Sequence, residues 1–140
     1  MKTATAIKWI INVTAGATLS TMTFLFGDID IPFQVLLFFL VSDYLSGVFA
    51  AWQTKELSSQ QGILGIAKKA AYLFLIASVY QLDKLLGTGG ALKTLAQWAL
   101  IVNEAMSVTE NLGQAGVPIP NVIKEKLAQL SEDHGVEKKL

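Results

Sequence analysis

The chain has 140 residues and 15.1 kDa, is 52% hydrophobic and 16% charged, and balances 11 basic against 11 acidic side chains. A mean hydropathy of +0.47 sets it among integral membrane proteins rather than water-soluble globules. The zero net charge, with no arginine in the chain, excludes a nucleic-acid binder, and the absence of cysteine removes disulfides, thiolate zinc sites and a cysteine nucleophile together.

The first predicted span, residues 9–27, follows Lys2 and Lys8 and carries no charge. It is long enough to cross a hydrocarbon core of about 30 Å as a helix. Asn12, Gly16, Ser20 and Thr23 fall on one side of it, a small-residue face that lets another helix approach closely. No small-residue cleavage site follows Phe24-Leu25-Phe26, so the segment reads as a span and not as a signal peptide.

Asp28 and Asp30 form a short acidic turn, and Pro32 suits the first turn of a second span, residues 31–52. Twelve Ile, Leu, Val and Phe residues between 31 and 51 are worth roughly −4 to −7 kcal/mol on the insertion scale, against about +3 for Asp43. Insertion wins despite the carboxylate. Residues 53–65 are polar, with Gly62 and Gly65 as breakers, and read as a loop.

A third span is expected over residues 66–86, with Lys68 and Lys69 snorkelling at one end and Asp83 and Lys84 near the other. Gly87 to Gly90 is a flexible turn without the Lys-Ser/Thr of a phosphate loop. Residues 91–112 form a fourth helix broken by Lys93, Asn103, Glu104 and Glu110, whose hydropathy alone does not decide whether it spans. Gly113, Gly116 and Pro118-Ile119-Pro120 end it. Residues 113–140 are then a cytoplasmic segment, a short amphipathic helix with Val122, Ile123, Leu127 and Leu130 on one side, and a polar tail in which the lone His134 is solvated.

Lys2, Lys8, Lys55, Lys68, Lys69, Lys124, Lys126, Lys138 and Lys139 all fall on one side if there are four crossings. The positive-inside rule then places both termini in the cytoplasm, whereas three crossings put the C-terminal lysines outside. The fold class expected is an all-α integral membrane protein, residues 1–112 carrying four transmembrane helices (or three), followed by the amphipathic helix.

Charges at membrane depth are costly and mark function. Asp43, Ser46 and Gly47 share one helical face, as do Asn103, Ser107 and Glu110, with Glu104 and Asn111 beside them; Asp83 lies on the third helix. Such stripes either bond helix to helix within one copy or line water between several. They are therefore the candidate pore-lining or oligomer-interface residues. Only Lys84 and Lys93 sit near enough the outer face to pair with a carboxylate. No GxSxG, Walker, dinucleotide or HExxH motif is present, so no catalytic, cofactor-binding or metal residue is assigned.

Asp43-Tyr44-Leu45-Ser46-Gly47-Val48-Phe49-Ala50-Ala51 resembles the second-span signature of the toxin-secretion and phage-lysis holin family, phage holin family 4, which includes clostridial toxin-release holins. Ser58-Ser59, Gly62, Gly65-Ile66 and Lys68-Lys69 continue the likeness in order. Asn103-Glu104 through Glu110-Asn111-Leu112, then Gly116-Val117-Pro118-Ile119-Pro120, resembles the family's Asn-Glu, Ser, Glu-Asn-Leu and Gly-Val-Pro-x-Pro block. The likeness covers roughly residues 43–130; the first span carries no motif.

The resemblance implies a non-enzymatic protein that oligomerises in the bacterial cytoplasmic membrane and opens non-selective holes. Its partners would be the lipid bilayer, further copies of itself and, without necessary contact, an endolysin or exported toxin. A small selective channel or transporter, and a membrane anchor for a soluble partner, are the rival expectations.

Overall fold

The computed structural model describes residues 2–134, with the backbone alone of Lys2. Lys138 and Lys139, counted in the charge argument, lie outside the described residues. Five helices follow one another: α1 Lys2–Phe26, α2 Ile31–Gln53, α3 Ser59–Leu86, α4 Ala91–Gln114 and α5 Asn121–Asp133. The chain is all-helical, as expected from its composition.

Local chemistry sets most boundaries. Asp30 caps α2, its Oδ1 accepting from the Phe33 N–H at 2.9 Å, with Pro32 in the first turn. Three helices end in the same way, with a left-handed residue and a six-to-one hydrogen bond: Lys55 after α2, Gly87 after α3 and Gly116 after α4. The bonds are Glu56 N–H to Ala51 O, Thr88 N–H to Asp83 O and Val117 N–H to Leu112 O.

One boundary departs from the sequence reading. α3 begins at Ser59, so Gly62 and Gly65 lie inside a helix and do not break it. Tyr44 of α2 packs across both: a Cβ at Gly62 would meet its hydroxyl at 3.6 Å and one at Gly65 its ring at 3.7 Å. The close approach of α2 and α3 outweighs the low helix propensity of glycine.

α1, α2 and α3 are long and apolar enough to cross a membrane. At 24 residues α4 rises about 36 Å and matches them in length, but it is not apolar enough to count among them. The reason lies in what it buries. Lys93, Gln97, Leu100, Ile101, Glu104 and Ala105 repeat at helical spacing and are all buried, so its polar residues point into the bundle.

α2 and α4 run parallel, with α3 antiparallel to both. Between them lies one apolar cluster of Phe26, Phe33, Leu36, Leu40, Ile76, Leu100 and Ile101. Leu36 and Ile76 are fully buried. α1 stands apart: it meets α3, and Phe26 packs on Phe33 with ring centroids 5.0 Å apart, while most of its length is exposed.

Candidate functional site

Two polar clusters close the apolar layer from either end. The first joins the middle of α2 to α3 and α4. Lys69 Nζ donates to Asp43 Oδ2 and to Glu104 Oε2, each at 2.6 Å. Glu104 is wholly buried, and Asp43 and Lys69 nearly so. Asn111 Nδ2 donates to Asp43 Oδ1 at 3.0 Å and to Ser46 Oγ at 3.1 Å. Asn103 Nδ2 donates to Glu104 Oε1 at 3.1 Å and Tyr72 OH at 3.2 Å. Lys68 approaches Glu104 at 3.8 Å from a more exposed position.

Of the sequence-predicted residues, Asp43, Ser46, Gly47, Asn103, Glu104, Ser107 and Asn111 thus come together. Gly47 lies where a Cβ would meet the Asn111 amide at 3.4 Å, and Ser107 lines the same cleft as Asp43. A cleft of about 310 Å³, lined by Asp43, Tyr44, Gly62, Lys68, Lys69 and Ser107 among others, opens beside this cluster. The expectation that only Lys84 and Lys93 reach a carboxylate is corrected here. Lys69, expected to snorkel outward, turns in between two carboxylates, because two buried negative charges need a cation more than one lysine needs the interface.

The second cluster ties the two turns at the other end. Asp83 of α3 is buried, and its carboxylate accepts from the Thr88 hydroxyl and from the backbone N–H groups of Leu92, 3.1 Å, and Lys93, 2.7 Å. It supplies α4 with the N-terminal cap that Gly90 lacks. Lys93 Nζ donates to Asp30 Oδ2 and to Asp28 O, both at 3.0 Å, and Gln97 Nε2 to Asp30 Oδ1 at 3.1 Å. Tyr80 and Phe33 lie beneath the Lys93 ammonium. Partial burial pushes the Asp30 carboxyl up, but the Phe33 N–H, Lys93 and Gln97 outweigh it and hold the group below its ordinary value.

Glu110 joins neither cluster. It lies on the flank of α4 that faces α5, lining a cavity of about 480 Å³ with Met106, Thr109, Lys124 and Leu127. α5 folds back along that flank, antiparallel to α4. Ser131 is buried there, and His134 stacks on Trp98 with centroids 5.9 Å apart. His134 is therefore partly covered by its own chain rather than simply solvated.

The place of this contact matters. Trp98 is seven residues beyond the start of α4, about 10 Å by helical rise, and directly follows Gln97, the residue that meets Asp30. The C-terminal end of α5 thus lies against the N-terminal part of α4, with Glu132 and Asp133 exposed.

The sequence reading singled out neither Lys69, Gln97 and Tyr72 nor Lys93 and Asp30 as site residues. The available signal was charge balance: carboxylates inside a span demand cations, and Lys68-Lys69 is the dibasic pair at hand.

The bacteriophage holin family matches residues 20–132. Relatives include a probable holin of Bacillus phage phi105, 32% identical over 79% of this chain and 82% of its own. An uncharacterised 14.9 kDa protein of Clostridium perfringens is 41% identical over 89% of this chain and 92% of its own. An uncharacterised protein of Listeria innocua is 38% identical over 81% of each. No solved structure matches the chain.

Proposed function

This chain belongs to the bacteriophage holin family, a family of non-enzymatic membrane proteins, and from that premise we propose that it accumulates in the bacterial cytoplasmic membrane, self-associates and opens non-selective holes. The holes would release an endolysin or a toxin. Four crossings with both termini in the cytoplasm are part of the proposal, supported by the lysine distribution and by a fourth helix as long as the others.

The observation that carries it is the sealed interior of a single copy. Leu36, Leu40, Ile76, Leu100 and Ile101 fill the space between the two polar clusters. Asp43, Asp83 and Glu104 are already held by donors of the same chain. Among the described residues, the interior of one copy therefore offers an ion no row of open carboxylates and no polar path, which disfavours the selective channel. A hole has to form between copies.

Asp43, Ser46, Gly47, Asp83, Asn103, Glu104, Ser107, Glu110 and Asn111 are proposed as wall or interface residues on that basis. In sparse copies, all of these except Glu110 belong to clusters satisfied within the chain; at high density neighbouring helices and water would compete for the same groups, making opening concentration-dependent. Asp43→Asn and Glu104→Gln are expected to shift the time of lysis after induction. Unchanged timing in both variants, at equal membrane abundance, would remove these residues from the mechanism.

A further inference from the structure

We infer that α1 is the surface through which two copies join, the α1 of one lying parallel to the α1 of a second with their Asn12 side chains facing each other. The inference deepens the self-association proposed above, and it rests on the part of that reading in which α1 crosses the membrane.

Within one copy α1 is exposed from residue 3 to residue 24. It is fastened at its C-terminal end, where Phe26 packs on Phe33 and the Gln81 amide donates to Phe24 O at 2.7 Å. Its two sides differ. Thr14, Thr18, Thr21 and Leu25 repeat at helical spacing, and Leu25 lines the cavity between α1 and α3. The three threonine hydroxyls donate to the carbonyls of Ile10, Thr14 and Ala17, each at 2.9 Å. This side is satisfied within its own helix, and lipid suits it.

Asn12, Gly16, Ser20 and Thr23 lie on the other side. The Asn12 amide makes no hydrogen bond among the described residues. It lies about 14 Å along the helix from Thr3 and about 21 Å from Phe26, where a crossing helix meets no water. A buried amide without a partner is costly there. The outer surfaces of α2 and α3 offer it none. From Val35 to Phe49 and from Ile63 to Ser78, every exposed side chain is apolar except Ser78, whose hydroxyl donates to Phe74 O. A second Asn12 does satisfy it, because an amide is donor and acceptor at once. Copies inserted the same way up meet in parallel, and a two-fold axis then sets Asn12 against Asn12. Gly16, one turn on, lets the two backbones approach.

The chain has no cysteine, so single thiols in the full-length protein can be cross-linked by oxidation in membranes. Ser20→Cys and Thr23→Cys should give disulfide-linked pairs, while Thr14→Cys, Thr18→Cys and Phe74→Cys, away from the joint, should not. Adding Asn12→Leu to Ser20→Cys should lower the cross-linked fraction about three- to tenfold, whereas Asn12→Gln should keep most of it. An impermeant maleimide added outside right-side-out vesicles checks the crossing: it should label Asp28→Cys and leave Lys8→Cys unlabelled.

Equal yields on both sides of α1, or no pairs at Ser20→Cys and Thr23→Cys, would overturn the pairing. So would a yield unmoved by Asn12→Leu. Ser20→Cys joining only to Phe74→Cys of a co-expressed copy would make α3 the partner and overturn it too. Labelling of Lys8→Cys and Asp28→Cys alike would remove the crossing, and the pairing with it. The expected pairs in a chain that never permeabilises the membrane would leave the pairing standing and sink the holin reading alone. Permeabilisation without those pairs would sink the pairing alone.

Discussion

Lys69 holds the carboxylates of Asp43 and Glu104 together, its ammonium lying 2.6 Å from each. Lys69→Met should lower stability by about 3–5 kcal/mol, the cost of leaving a buried charge without its partner, measured as thermal unfolding in detergent micelles. Adding Asp43→Asn and Glu104→Gln should restore most of the loss, because no charge is then left uncompensated. An unchanged midpoint for Lys69→Met would contradict the geometry. The carboxylates were legible in the sequence because a charge inside an apolar run stands out locally. Their lysine was not: it is 26 and 35 residues away, and only helix register brings the three together. At the opposite end Asp30 gives a pH prediction. Its folded value is lowered, so its contribution is present above the unfolded carboxyl value of about 3.9 and fades as pH falls through the lower folded value. The protection factor of the Phe33 amide, the intrinsic over the observed exchange rate at each pH, should be flat from neutral pH down to about 4 and fall below it, while Asp30→Asn should be less protected throughout.

Glycine has opposite meanings in two elements. A methyl group at Gly62 or Gly65 would make ordinary contact with Tyr44, so alanine there should be neutral or stabilising by up to about 1 kcal/mol. Leucine at either position should separate α2 from α3 and lower the unfolding midpoint. Gly27→Ala should destabilise in every case. Its φ is +70°, and the new Cβ would lie 2.7 Å from the Tyr80 ring. Asp83→Ala tests α4 in the same assay, and losing a cap should cost about 1–2 kcal/mol. The spans of α1 and α2 were legible from apolar length, and the start of α2 from its aspartate and proline. The start of α3 was not, because Tyr44 fills the space its glycines leave and that contact is invisible in local composition. For α4 the polar residues read as interruptions of a span, when their burial against α2 and α3 is what places them there. The fold-back of α5 could not be read either. An amphipathic helix suits a membrane surface or the side of a neighbouring helix equally well, and Trp98 carries no mark of its stacking on His134.

Across the described residues, an apolar layer is closed by polar clusters at both ends. The family was legible because its motifs surround the residues that build the first cluster: Asp43-Tyr44, Gly62 with Gly65, Lys69, and Asn103-Glu104 through Asn111 all meet there. What the motifs do not carry is the arrangement between copies, which depends on outer surfaces rather than on this inner layer. The most direct test is timed induction in a bacterium lacking any lysin, following membrane potential and the escape of a folded cytoplasmic reporter protein, beside a culture that also makes a cytoplasmic endolysin. Holes between copies predict a delay, then abrupt depolarisation with reporter escape, and lysis only where endolysin is present. Ion leakage with the reporter retained, or no change in permeability at all, would contradict them.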